Sequence, residues 1–425
     1  MGTTTVRIGF VPLIDAAPVI AAQDRGYFAE EGLNVTLHRQ VGWANVRDKL
    51  SFGHLDAAHA LLGMPLASHF GRDSFSEPLV SVMGLGSGGN GITVRRELYD
   101  LGVKSAADLK RVIKENPRLG RPMVGHVFGS SMHHYLIREW LASGGLDPDR
   151  DVQLCVIPPP QMTEHMKGGY LDVFCVGEPW NTVATRLGSG VTLLATTDIL
   201  PRHPEKVLAV SKRFAEGHGG RGGGTSTMTA LVRAVLRGCM WCAEMVAGMP
   251  GMPDGGPLTD LLARPEYLAQ PREVVRESLS LGRDFGVNRI QKNNRPAAWV
   301  VRSFSPEMGG GTFPNKMHAV WMMREMIRWG HLHAGADMMA IAEACCDATA
   351  YRAAATSLGV GCPDADFVPM ELRNGRTFRL DDVKLPRGPL PLNDAAGEMK
   401  RRGRDPGPLA PRSDPLDTLN PATIH

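Results

Sequence analysis

Met166-Lys-Gly168-Gly-Tyr-Leu-Asp172-Val-Phe-Cys-Val-Gly177-Glu178-Pro179-Trp180 is the stretch that decides the fold class. Its first residues close a helix that begins at Pro159, and the glycines stop that helix in a left-handed turn. Leu171 to Val176 then reads as an apolar strand. Gly177 ends it, and Pro179 suits the first turn of a helix running from Glu178 to Leu187. A strand bracketed by helices over so few residues is the unit of a parallel or mixed sheet covered on both faces.

The same alternation continues outward. Met123 to Val127 is a strand, Ser130 to Ser143 a helix stopped by Gly144-Gly145, Val152 to Ile157 a strand, and Val191 to Ala195 another. Toward the N-terminus, Val6 to Val11 and Leu33 to Leu37 are strands, with helices at 16–31 and 43–52 and a further strand entered at Leu55. Lys49-Leu-Ser-Phe-Gly53-His-Leu-Asp56-Ala-Ala echoes the opening stretch, since both run helix, glycine stop, Leu-Asp, strand. The echo fits either two related lobes or one turn chemistry used twice. Strands at 79–85 and 91–94 are separated by the flexible run Gly86-Ser-Gly-Gly-Asn90.

These signals predict an α/β protein of two lobes: residues 1–92 as the first part of lobe 1, 93–199 as lobe 2, and 200–385 as a return to lobe 1 plus a mostly helical C-terminal region. That region includes a helix over 226–247, an apolar helix after Phe313-Pro314, and an alanine-rich helix over 336–357. From about 386 large apolar residues almost vanish, too few to offset the ordering entropy, so 386–425 is expected to be a disordered tail.

Composition narrows the function. The 425 residues carry a formal charge of +3 with no basic run beyond Arg401-Arg402, which argues against direct nucleic-acid binding. No stretch nears the roughly 18 apolar residues of a membrane span. The N-terminus lacks a leader pattern, so a cytoplasmic location is expected. The seven cysteines form no disulfide framework. Cys239-Met-Trp-Cys242 lies mid-helix without a second pair, which favours packed thiols over a zinc or redox site. No phosphate loop, GxSxG, HExxH or metal quartet is present, so neither an enzyme nor a cofactor or metal protein is expected.

Two junctions could hold an anion. At Gly177-Glu178-Pro179-Trp180 a strand's carboxyl end meets a helix start, where backbone N–H groups and the helix dipole favour negative charge. At Phe128-Gly129-Ser130-Ser131 a serine can cap the helix and donate a hydroxyl hydrogen. Trp43 offers an indole N–H on an apolar body, suited to a cleft wall or to the core. His126, His133 and His134 lack metal-ligand spacing and are expected to be structural or surface residues.

Taken in order, several segments resemble the nitrate- and bicarbonate-binding branch of the periplasmic binding protein superfamily. They are Gly42-Trp43 with Arg47-Asp48-Lys49-Leu50, Leu55-Asp56-Ala57-Ala58-His59, Gly89-Asn90-Gly91-Ile92, Trp140-Leu141-Ala142-Ser143-Gly144-Gly145, Pro158 to Met162, Gly177 to Asn181, His203-Pro204-Glu205-Lys206, and Phe313-Pro314 through Gly330. The resemblance implies a type II fold, two lobes joined by crossover strands, with a small oxyanion such as nitrate or nitrite in the cleft. Trp43 and Gly177 match positions that line the anion site. Gly88 stands where nitrate transporters carry Gln, beside Asn90; Ser130 stands for a His; and Pro201-Arg202 stand for a Lys. The ligand set so implied is Trp43, Gly88, Asn90, Ser130, Ser131, Gly177, Glu178 and Arg202. The pattern is most similar to cytosolic nitrate/nitrite sensors that release an RNA-binding antiterminator, with the solute-binding component of an ABC importer and an enzyme on the same fold as alternatives.

Overall fold

The computed structural model describes residues 4–70, 77–218, 223–248, 256–279, 311–372 and 375–384. The expected disordered tail lies outside these residues. Strand β1 (Thr4–Phe10) is followed by helices α1 (Ala17–Asp24) and α2 (Tyr27–Glu30), strand β2 (Leu33–Arg39), helix α3 (Trp43–Ser51), strand β3 (Ala57–Leu61), helix α4 (Gly63–His69) and strand β4 (Leu79–Ser87). The single helix expected over 16–31 is broken at Gly26, whose φ of 76° only glycine adopts without strain.

Strand β5 (Asn90–Arg95) opens a second series: helix α5 (Ala106–Glu115), β6 (Met123–His126), α6 (Met132–Ser143), β7 (Gln153–Val156), α7 (Pro159–Lys167), β8 (Val173–Gly177), α8 (Trp180–Arg186) and β9 (Gly190–Ala195). Strand β10 (Pro204–Ser211) returns, and helices α9 (Thr225–Gly248), α10 (Gly256–Ala263), α11 (Arg272–Leu279), α12 (Lys316–Arg328), α13 (Met338–Cys345) and α14 (Thr349–Ser357) follow. The alanine-rich helix expected over 336–357 divides into α13 and α14, because Cys346 is extended and bridges Ser81 of β4. The Cys346 N–H still donates to the Ala342 carbonyl of the helix at 3.2 Å, and the next N–H, of Asp347, donates to the Ser81 carbonyl of the sheet at 3.0 Å.

The strands form two five-stranded sheets ordered β2-β1-β3-β10-β4 and β7-β6-β8-β5-β9. Both have one plan. The first three strands in each order are parallel, and the fourth, β10 or β5, runs antiparallel to its neighbours. In each lobe that fourth strand arrives from the other lobe, so the chain crosses twice, at Gly88-Gly89 and at 196–203. The flexible five-residue run expected before β5 shrinks to Gly88-Gly89, since β10 pairs with β4 as far as Pro204 opposite Ser87.

The Leu-Asp echo is a matched pair of turns. Asp56 Oδ2 accepts the N–H of Arg7, and Asp172 Oδ2 accepts the N–H of Met123, each bond 2.8 Å long and spanning 49 residues. In return the Asp56 and Asp172 N–H groups donate to the Arg7 and Met123 carbonyls, both at 2.9 Å. The preceding helices α3 and α7 have 9 residues each. Each aspartate therefore locks the register between the strand it enters and its parallel neighbour, β3 with β1 and β8 with β6.

Candidate functional site

The two crossovers lie side by side and bring both lobes' strand ends together. Gly88, at a φ of 72°, donates its N–H to the His203 carbonyl at 3.1 Å, and the Glu178 N–H donates to the Gly89 carbonyl at 3.2 Å. Across the cleft the Ile14 N–H donates to the Glu178 carbonyl at 2.8 Å. The lobes are closed on one another at Gly63, where an added Cβ would stand 1.5 Å from the Ser130 carbonyl oxygen.

At this junction Lys206, 1% exposed, holds two carboxylates: Asp15 Oδ2 at 2.8 Å and Glu205 Oε1 at 2.9 Å. Its ammonium also lies 5.5 Å from the centre of the Trp43 ring, within cation–π range. Asp15 accepts from His59 Nε2 at 2.8 Å, and the His59 ring packs on Trp43 with centroids 5.3 Å apart. Asn90 Nδ2 donates to Glu205 Oε2 at 2.7 Å, and His133 Nδ1 lies 3.2 Å from Glu205 Oε1 without hydrogen-bond alignment. All of these except Asp15, whose side chain keeps 15% of its surface, are buried.

Burial shapes their protonation. It works to raise the Asp15 carboxyl, but Lys206 and His59 outweigh it and hold that group well below the carboxylate range. For Glu205 burial wins over Lys206 and the pKa is raised. Burial works to lower the Lys206 ammonium, yet its two carboxylate partners raise it above its ordinary value, so it stays charged. Burial, then Lys206, hold the His133 imidazole well below its ordinary range.

Several buried polar atoms at this junction have no partner: Trp43 Nε1, His59 Nδ1, Asn90 Oδ1, Ser130 Oγ and both ring nitrogens of His133. Buried polar atoms are normally hydrogen-bonded, so such a concentration marks a place built for something else to bind. Gly177 completes the wall: a Cβ there would meet Asn90 Oδ1 at 3.3 Å and Asp15 Oδ2 at 3.7 Å.

The eight residues expected at the site separate accordingly. Trp43, Asn90, Ser130 and Gly177 face the junction. Gly88 ties the crossovers together. Ser131 caps α6: its hydroxyl donates to the Phe128 carbonyl at 2.7 Å and accepts the His134 N–H at 3.1 Å. Glu178 turns its carboxylate onto the start of α8, where Oε2 accepts from the Thr182 N–H and hydroxyl at 3.2 and 2.8 Å. The helix end expected to be open to an anion is thus occupied by the protein's own carboxylate. Arg202 is on the surface, paired with Glu371, with 48% of its side chain exposed, and does not reach the junction. The positive charge expected from it is supplied by Lys206 instead.

Sequence reasoning missed Asp15, His59, His133, Glu205 and Lys206. The adjacent Glu205-Lys206 in an otherwise apolar strand was the available signal, because opposite charges in a buried strand need partners. His133 and His134, expected to be structural or surface, are both buried. His134 joins His126 and Arg138 at 3.0 and 2.8 Å, whereas His133 faces the cluster.

Two lobes with swapped antiparallel strands and a closed, polar junction at both crossovers define the type II periplasmic-binding-protein fold. The chain belongs to the NMT1-like family, whose signature matches residues 1–248. It is 34% identical over 390 residues to the nitrate/nitrite binding protein NrtA of Synechococcus elongatus, covering 88% of this chain and 82% of that one. It is 33% identical over 392 residues to the bicarbonate transport ATP-binding protein CmpC of the same species, covering 91% of this chain but 55% of the relative, so it spans about half the length of that protein. The crystal structure of the periplasmic nitrate-binding protein NrtA from Synechocystis superposes with a TM-score of 0.77 at 28% identity, over 90% of this chain and 97% of the other.

Proposed function

We propose that the chain binds a small monovalent oxyanion, of the nitrate, nitrite or hydrogencarbonate kind, between its lobes without transforming it, and that it serves as a solute-binding unit working with an ABC-type importer. The observation that carries this reading is the buried Lys206 ammonium beside the Trp43 ring, together with unpartnered buried polar atoms from both lobes, Trp43 Nε1, Ser130 Oγ and both ring nitrogens of His133 among them. A ligand that accepts from both lobes would stabilise their closure, since only contacts made in the closed form shift the equilibrium toward it. Nothing in the junction pairs a nucleophile with a base in the geometry of a covalent mechanism; Cys175, two residues before Gly177, is buried and its thiol is pushed well up by burial.

The import role draws on the relatives, which are named for nitrate and bicarbonate binding and transport. The reading as a sensor that releases an antiterminator draws on the sequence resemblance alone, and the relatives favour the importer. Calorimetric titration with sodium nitrate, nitrite, hydrogencarbonate and sulfate tests the binding. Saturable heat with at least one of the monovalent anions is expected; none with any of the four would sink the oxyanion reading.

A further inference from the structure

When both carboxylates at the junction are ionised, its charges do not balance. Asp15 and Glu205 both contact Lys206, so two buried carboxylates share one ammonium. The remaining titratable groups that face them bring no second positive charge. His59, from β3, donates through Nε2 to Asp15 and is held neutral by burial. His203, from the second crossover, places Nδ1 3.2 Å from the Pro204 carbonyl and Nε2 2.8 Å from Thr196 Oγ1, and burial pushes it down to about 4. His126, at the end of β6, acts on His133, and burial pushes it down to about 4; Cys175, from β8, stays a thiol. A monovalent anion entering this cluster would add a second uncompensated negative charge in a place shielded from water, where like charges repel far more than in solvent.

We infer that the junction takes up its oxyanion together with one proton, and that His133 holds this proton beside Glu205. The inference rests on the oxyanion reading above. His133 is suited to the task by its position, and a turn of the ring would align Nδ1 with the carboxylate it already approaches. Both of its ring nitrogens are buried and unpartnered, and Nδ1 is 3.2 Å from Glu205 Oε1. A neutral imidazole can donate from one nitrogen; an imidazolium donates from both, one to the carboxylate and one to an acceptor on the other side. The step is His133 with anion and a solvent proton going to imidazolium with anion, so charge and atoms balance. In the cluster as it stands burial and Lys206 keep the imidazole neutral, so the proton accompanies the anion and does not precede it.

The test is calorimetry with sodium nitrate at pH 8 in HEPES, Tris and tricine, whose ionisation heats differ, with sodium hydrogencarbonate as the second probe because it too is chiefly a monoanion there. Close to one proton absorbed per anion is expected, with affinity falling about tenfold per unit of pH between 7.5 and 9. His133→Gln should abolish the uptake and flatten the pH dependence. Glu205→Gln, which removes one of the negative charges, should also reduce the uptake and tighten binding at pH 8. Saturable binding without uptake would overturn the inference and leave the oxyanion reading standing, and uptake that persists in His133→Gln would overturn the assignment to His133. No binding of nitrate, nitrite, hydrogencarbonate or sulfate would overturn the oxyanion reading and this inference with it.

Discussion

Replacing Gly63 by alanine adds one methyl group at the point where α4 of lobe 1 meets the loop before α6 of lobe 2. That methyl would lie 1.5 Å from the Ser130 carbonyl oxygen and 2.7 Å from its carbon, whereas real Cβ atoms essentially never approach another heavy atom within 3.0 Å. Met322 Cε, at 2.8 Å, can rotate aside, but the Ser130 backbone cannot yield easily. The neighbouring Phe128 carbonyl is held by the Ser131 N–H, the Ser131 hydroxyl and His126 Nδ1 at 3.1, 2.7 and 3.2 Å. The lobes must then part by about 1.5 Å, enough to break hydrogen bonds such as that from Asn90 to Glu205. A ligand would lose its contacts to one lobe, and two hydrogen bonds to charged groups correspond to about 3–5 kcal/mol, or roughly 10²- to 10⁴-fold in affinity. Each lobe should fold as before, because alanine favours the helix Gly63 begins. Calorimetric anion binding, with scattering to follow closure, reads both effects. Wild-type affinity and a compact anion-bound form in Gly63→Ala would refute the closed contact as the binding state.

Trp43→Phe keeps the ring against Lys206 and removes the unpartnered indole N–H, so anion affinity should fall about 5- to 10-fold, the worth of about one hydrogen bond; an unchanged dissociation constant would remove Nε1 from the site. Lys206→Met strands Asp15 and Glu205 beside each other and should cost about 3–5 kcal/mol in urea denaturation, so a loss under 1 kcal/mol would contradict the buried ion triad. Arg202→Ala breaks only a surface pair with Glu371 and should leave anion affinity unchanged. Burial pushes His126 and His203 down to about 4, below the unfolded value near 6.5. Between those pH values the unfolded chain binds protons that the folded chain refuses, so stability falls as pH drops, by roughly 2 kcal/mol per histidine at pH 5. Equal denaturation midpoints at pH 7.5 and pH 5 would rule this out.

Much of the architecture was legible because it is written in local signals. Glycine stops at Gly53 and Gly169, a serine cap at Ser130-Ser131, and apolar runs between them mark where elements end, and Ser131 does accept the N–H group of His134. The site was less legible because it is assembled by topology. Asp15 and Lys206 are far apart in sequence and meet only because β10 runs antiparallel beside β3. All eight residues of β10 are buried, so no alternation singles out which of its side chains face the junction. Arg202 was a reasonable candidate by position along the chain, but its φ of 48° turns it into a surface corner, four residues short of the buried lysine. Trp43 and Gly177, in contrast, stand at element ends whose direction the local sequence already sets.

The place of β10 between β3 and β4 also bears on how the molecule comes into being. A ribosome releases Thr4 to Ser87 first, as two sheet fragments whose facing edges have no partner, and such edges invite pairing with other chains. The strands of the second sheet, from Asn90 to Ala195, then emerge as one uninterrupted block that needs no later strand to complete its pairing. Only when residues 204–211 appear can the first sheet close, and the strand that closes it is the one bearing Glu205 and Lys206. Maturation of the first sheet and assembly of the ligand junction are therefore a single event in the life of the nascent chain.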